Sequence, residues 1–411
     1  MVRLSLASLL SLGTVATQAL ASGNCTGVDA ISTKCTSKEA AHTRDFFYVG
    51  GRYIETTSGN VTVDQLYVEK LVPVTTSRTR RRSGVATTKP IVFFHGGGTT
   101  GVTWLNTPDN RPGWATYFLQ QGHTVYLVDI AAIGRSTENN LADFTMIAGT
   151  AAEGVERGFT NVEAYNAYPQ AILHTQWPGT GQKGDPTFEQ FKKTILPLST
   201  SWVPQEYALR ASGCELLSLL GEKAYLISHS IGARVPILLS NDCPEYIAGN
   251  INLEGTTVPF WSFESRSTTN AWGLTNTPID YYPPVASAAE LQTEVVGNDT
   301  LAHRSCYRQK EPARKLPKVA SVAYLMVTTE ASVHVTYDHC TVEYLKQVGG
   351  KPDWIKLGEI GIHGNGHFMH LEKNSLEIAE VVNNWIQEKE GVREDAKGIR
   401  QLQGKQTDGG R

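Results

Sequence analysis

The sequence predicts an α/β fold: a mostly parallel central sheet with helices on both faces and two cap insertions above it. Two observations carry this. Short unbroken apolar runs, of which Ile91-Val92-Phe93-Phe94 is the clearest, recur along the chain, and strands covered on both faces read this way because neither face meets water. Helical stretches alternate with these runs, and that alternation belongs to a parallel sheet built from crossover connections.

In chain order, Phe46 to Glu55 and Gln65 to Val74 alternate apolar and polar residues and read as strands of a meander. Thr75 to Pro90 contains Arg78, Arg80, Arg81 and Arg82. It reads as a solvated hairpin loop, with a dibasic processing site after Arg82 as the sharper alternative. The strand Ile91 to Phe94 runs into His95-Gly96-Gly97-Gly98. Trp114 to Gln121 reads as a helix and Thr124 to Val128 as a strand ending at Asp129.

Residues 140–205 break the rhythm, with Trp177 and Trp202 among many Pro, Gly and Thr residues, and are expected to cap the sheet. A helix from Pro204 to Leu220, a strand from Ala224 to Ile227, a helix from Ile231 and a strand from Ile247 to Leu253 resume it. A second insertion over 255–314 carries Phe260, Trp261, Phe263, Trp272, Tyr281 and Tyr282. Strands at Ala320 to Val327 and Trp354 to Ile360 and a helix at Ser375 to Glu388 complete the domain, which spans 22–390. The remainder, 391–411, is charged and poor in apolar residues and is expected to be disordered.

Across 411 residues, 40% are hydrophobic and 19% charged, enough apolar content for a substantial core. A formal charge of −3 argues against partners held by electrostatics, such as nucleic acid or an acidic membrane. Arg3, the apolar stretch Leu4 to Ala16 and the small-x-small tripeptide Ala19-Leu20-Ala21 read as an export signal over 1–21. That stretch is too short to span a bilayer. The protein is therefore expected outside the cell. Six cysteines agree with an oxidising compartment. Proximity along the chain suggests Cys25–Cys35, Cys214–Cys243 and Cys306–Cys340, although the sequence permits other pairings. Asn24, Asn60 and Asn298 each precede a Thr two places on and are candidate glycosylation sites.

The chemistry centres on Ser228-His229-Ser230-Ile231-Gly232, where an apolar strand meets a helix. This is the pattern of a nucleophile elbow, whose tight turn needs small residues two places either side of the nucleophile. Ser228 and Gly232 satisfy that need. The turn lifts the Ser230 hydroxyl above the sheet and aims the Ile231 amide at a developing oxyanion. Further donors are expected from the loop containing Gly97 and Gly98, since glycine lets the backbone approach a substrate. Such a donor is worth about 3 kcal/mol in the transition state.

A base is expected late in the chain, where Gly361 to His370 offers His363, His367 and His370. Gly366-His367 followed by Leu371-Glu372 and a helix singles out His367, leaving His363 as a pocket candidate and His370 as a structural one. The three histidines lack the helical HExxH pattern of a metal site, so neither metal nor organic cofactor is expected. Three carboxylates compete to orient the base: Glu254 after the strand 250–253, Glu330 after the strand 322–327, and Asp338. All satisfy the order nucleophile, acid, histidine.

The chain resembles the α/β-hydrolases over roughly residues 45–390, and more narrowly a branch of secreted esterases from bacteria and filamentous fungi. The resemblance rests on His95-Gly96-Gly97 with Gly101 and Trp104, on Pro108 to Trp114, on Asp129 to Ser136, on Leu253-Glu254 and on Gly364-Asn365-Gly366-His367. In that branch the acid directly follows the strand after the nucleophile strand, which implies Glu254 rather than Glu330. Ser228 in place of the first elbow glycine and Gly255 where a proline often follows the acid are departures that remove no reacting group. The resemblance implies a serine esterase acting on a small carboxylic ester, or a lactonase with the same residues. A non-catalytic binding protein on the same fold is the alternative from another class. Ser230 argues against epoxide hydrolase or dehalogenase chemistry, which needs Asp at the elbow. Oligomeric state is not readable from the sequence.

Overall fold

The computed structural model describes residues 25–74, 88–256, 258–263 and 265–391. Residues 1–21, expected to direct export, Asn24, the arginines at 78–82 and the tail from 392 lie outside the described residues.

Eight strands build the central sheet: β1 (His42–Thr56), β2 (Gly59–Pro73), β3 (Ile91–Phe94), β4 (Val125–Val128), β5 (Ala224–His229), β6 (Ile247–Leu253), β7 (Tyr324–Thr328) and β8 (Asp353–Lys356). They lie side by side in the order β1-β2-β4-β3-β5-β6-β7-β8. The β1–β2 and β2–β4 pairs are antiparallel and all others parallel. The main helices are α1 (Trp114–Gln120), α2 (Pro186–Lys193), α3 (Trp202–Leu219), α4 (Arg234–Asp242), α5 (Asp338–Gln347) and α6 (Ser375–Lys389).

The apolar runs divide their side chains between two cores, one on each face. Ile91 and Phe93 pack with Phe118 of α1 and with Val382 and Trp385 of α6. Val92 and Phe94, pointing the other way, pack with Leu209 and Leu216 of α3 and Val235 and Leu239 of α4. All four β3 side chains are fully buried, and each such side chain contributes about 1.5–3 kcal/mol. On the antiparallel edge, Gly50 adopts φ 67°, and a Cβ there would lie 1.9 Å from Ser212 Oγ. Glycine thus lets α3 settle against β1, where Ser212 donates to the Asp64 carbonyl at 2.5 Å.

Several boundaries depart from expectation. β2 neighbours β4 rather than β3, so the connection from β2 to β3 is a crossover and not a hairpin. The strand expected from Ala320 begins at Tyr324, because Pro317 opens a short helix over Pro317–Ala320. The strand expected to reach Ile360 stops at Lys356, and a 3₁₀ turn, Leu357–Ile360, closes on Gly361 at φ 86°. The helix expected from Ile231 opens as a 3₁₀ turn, Ser230–Ala233, before α4 begins.

The first insertion has a small core of its own, in which Val155, Trp177, Phe188 and Phe191 pack with Phe368 and Leu371 from the far end of the chain. The aromatics of the second insertion serve mainly as packing on the flank of the sheet. Phe260 and Tyr281 join a cluster with Met326 of β7 and Tyr344 of α5, while Trp261 stacks on Tyr307 and Phe263 on Tyr337. Disulfides join Cys25 to Cys35, Cys214 to Cys243 and Cys306 to Cys340, the pairs that proximity suggested.

Candidate active site

Ser230 stands where β5 gives way to the 3₁₀ turn, with φ 54°. A side chain other than glycine or asparagine rarely occupies this left-handed region, and strain of this kind concentrates at functional sites. Small neighbours make the turn possible. A Cβ on Gly232 would lie 2.3 Å from the His95 carbonyl oxygen, and one on Gly96 would lie 3.2 Å from Ser230 Cβ. Ser228 is fully buried, its hydroxyl donating to the Ile251 carbonyl.

The glycine loop after β3 lies against this turn. Ile231 packs over Gly97, where a Cβ would come within 2.4 Å of Ile231 Cδ1, and Gly98 turns at φ 67°. Among the described residues, the Gly97 and Gly98 amides donate to no other protein group, while the Gly98 carbonyl accepts from Leu196 of the first insertion at 2.6 Å. His95 anchors the loop. It accepts from the Ile130 amide at Nε2 (3.0 Å), and so carries its proton on Nδ1, which donates to the Gly96 carbonyl (2.8 Å).

His367 donates from Nδ1 to Glu254 Oε2 at 2.9 Å. Glu254 follows β6 at φ 48° and is fully buried. Its other oxygen accepts from the Thr329 amide (2.8 Å) and hydroxyl (2.5 Å). Burial pushes the Glu254 carboxyl up, against the opposing pull of His334, Thr329 and Ser332. Burial holds His367 well below the ordinary imidazole range, and His334 pushes the same way. Both influences favour the neutral imidazole, the form able to accept a proton.

The other candidates are engaged elsewhere. Glu330 accepts from His363 Nδ1 and from the Gly364 amide, both at 3.0 Å. His363 is largely exposed rather than set in a pocket. His370 is buried and stacks on Trp104, with centroids 4.4 Å apart. Asp338 binds His334.

No protein-family model matches the chain. A probable secreted lipase, phiG, of a fungal species (strain ATCC 74256) is 39% identical over 346 residues, spanning 83% of this chain and 89% of that protein. The chain belongs to the α/β-hydrolases. The fold agrees: the atomic-resolution structure of a novel bacterial esterase superimposes with a TM-score of 0.55 at 20% identity, covering 86% of this chain and 99% of that one. Within the family, this α/β-hydrolase is a carboxylic ester hydrolase.

Four residues that steady the α/β-hydrolase site have no role in the sequence reading. His229, buried beside Ser230, donates from Nε2 to the His367 carbonyl at 2.9 Å and so ties the loop carrying His367 to the Ser230 turn. Among the described residues no hydrogen bond joins Ser230 to His367 itself, and nucleophile–base contacts are often long before substrate binds. Arg111 donates to the carbonyls of Leu371, Glu372 and Lys373 at 2.9–3.0 Å while pairing with Asp109, and so braces the outgoing end of the base loop. His174, from the first insertion, lies between Glu163 and Glu372, 2.8 Å from each. Glu372 in turn accepts from the Gly366 amide and the Asn365 side chain, immediately before His367. Burial alone would lower His174, but its two carboxylate partners raise it to about 9. The fourth, His334, stacks on His367 with centroids 4.7 Å apart and planes 7° from parallel. Arg111 and His229 lie within motifs legible in the sequence, Pro108 to Trp114 and the elbow, but neither motif shows what these two side chains hold. The histidines acquire meaning from partners at least one element away.

Proposed function

We propose that the protein is a secreted serine esterase working through Ser230, His367 and Glu254. Ser230 attacks the ester carbonyl carbon while His367 Nε2 takes the hydroxyl proton. Glu254 orients the imidazole and stabilises the imidazolium that forms. The amides of Ile231 and of the Gly97–Gly98 loop receive the negative oxygen. Collapse of the tetrahedral intermediate expels the alkoxide, which takes the proton from His367. Water, deprotonated by His367, then attacks the acyl-enzyme; the bond from the acyl carbon to Ser230 Oγ breaks, His367 returns the proton to Oγ, and the acid leaves.

The observation that carries this reading is the 2.9 Å bond between His367 and Glu254 in a loop tied to the left-handed Ser230. Phe159 on the insertion stacks on His367 and meets Phe368 edge-on, which favours an apolar group beside the scissile bond. The disulfides and the fungal relative described as secreted support export.

A fluorophosphonate probe tests the nucleophile. Wild type is expected to label, and a folded Ser230→Ala variant is not. A panel of esters and lactones of graded chain length then defines the substrate class. Absence of labelling on well-folded wild type would overturn the proposal and favour a binding role.

A further inference from the structure

The last residue of β7 and the one that follows it each hold a buried carboxylate. Thr329 donates to Glu254, and Thr328, one residue earlier, donates from Oγ1 to Asp338 Oδ2 at 2.6 Å. Each carboxylate in turn binds a histidine: Glu254 binds His367, and Asp338 Oδ1 binds His334 Nδ1 at 2.9 Å. Both carboxylates are fully buried, and His334 is 2% exposed. The molecule thus contains two histidine–carboxylate pairs side by side, with their imidazoles stacked.

One use for such a cluster is metal binding, since Glu254, His334 and His367 bring ligand atoms within 4.8 Å of one another. The stacking argues against it. Imidazole lone pairs lie in the ring plane, and planes 7° from parallel cannot meet at one ion between stacked rings. A proton is the better occupant.

We propose that His334, held by Asp338, is a positioning residue that keeps the His367 ring on Glu254 and sets the acid limit of catalysis. This rests on His367 being the base. Two effects follow from the geometry. The flat ring of His334 blocks rotation of His367 away from Glu254. A protonated His334, paired with Asp338, also places a positive charge against the base and disfavours premature protonation of His367. The cluster then holds two carboxylates and one proton-bearing cation at rest. The proton from Ser230 makes the second cation, so the four groups are neutral together when the oxyanion forms.

The other groups facing this cluster are few. His229 lies 4.5 Å from His367 between ring centroids, and His370 lies beside His229. The Tyr168 hydroxyl, which donates to the Ala331 carbonyl, lies toward Glu254, and the Ser332 hydroxyl binds it. Phe159, Phe368 and Tyr337 supply rings without charge at neutral pH. Two carboxylates face His334: Asp338, bonded to its Nδ1, and Glu254, which has an oxygen within 4.8 Å of a His334 ring nitrogen.

The test is the pH profile of kcat/KM on a soluble ester, with fluorophosphonate labelling of Ser230 run in parallel. The double variant His334→Phe/Asp338→Asn keeps a flat ring in the stack and strands no carboxylate. Its acid limb is expected to move up by about one pH unit, with KM little changed. His334→Ala/Asp338→Asn, which also loses the ring, is expected to show the same displacement and an additional loss in kcat of about tenfold or more. Should the double variants not fold, His334→Gln retains a donor to Asp338 without the charge and is expected to displace the limb in the same direction. An acid limb that stays in place in labelled, folded variants, with kcat within twofold, would overturn this proposal alone. Failure of wild type to label would instead overturn the serine-esterase reading and this inference with it.

Discussion

Replacing His174 by Gln probes the link between the first insertion and the base loop. His174 bridges Glu163 and Glu372 at 2.8 Å each, and its side chain and that of Glu372 are fully buried. Its proton is held up to about 9, against 6.5 for an ordinary imidazole. At about 1.4 kcal/mol per pH unit, the rise from 6.5 to about 9 corresponds to at most about 3.5 kcal/mol of folded-state stability. Because the folded value is raised, the contribution is complete below about pH 6.5 and fades as the pH rises through about 9. Glutamine keeps a donor for one carboxylate and carries no titratable proton. Urea midpoints measured from pH 6 to 10 for both proteins separate the effects. A constant gap between them reports packing, and the part that closes with rising pH reports the proton. Wild type is expected to lead by up to about 3.5 kcal/mol near pH 6 and to lose most of that lead by pH 10. A gap of the same size at every pH would refute the bridge as a charged clamp.

Glu254→Gln is expected to lower kcat by about 10³–10⁴ with the fold intact, whereas Glu330→Gln changes it by less than about threefold; steady-state kinetics on one ester distinguishes the two acids. Arg111→Lys, which cannot reach three carbonyls with one planar group, is expected to cost about 2 kcal/mol of stability and to lower kcat by loosening His367, as read by urea denaturation and turnover together. Removing the Cys214–Cys243 disulfide as a double serine variant opens a link between residues 29 apart. The expected loss is about 3–4 kcal/mol of stability with little change in kcat/KM, since neither cysteine belongs to the proposed site.

What the sequence revealed depended on how local each signal was. The buried strands were readable because both faces of β3, β4 and β5 are covered, so polar residues have no place in them. The elbow was readable because the strain at Ser230 is relieved by residues two places away. The aromatics at 255–314 were ambiguous, since packing against β7 and lining a pocket call for the same side chains. The choice between Glu254 and Glu330 was open on the residues alone. Both end adjacent parallel strands, and only the fold places one carboxylate on His367 and the other on His363. His334 and His174 were unreadable for a related reason. Each draws its significance from an acid or a ring brought close by folding.

The packing of Phe368 and Leu371 inside the insertion's own core bears on engineering. The insertion packs around Phe368, the residue directly after His367, and His174 clasps the same loop. A chimera that received residues 140–205 from another enzyme would leave Phe368 without its aromatic neighbours and Glu372 without its cation. The transferable unit in this molecule is the insertion together with residues 361–374, so a graft of the insertion has to carry the His367 loop with it.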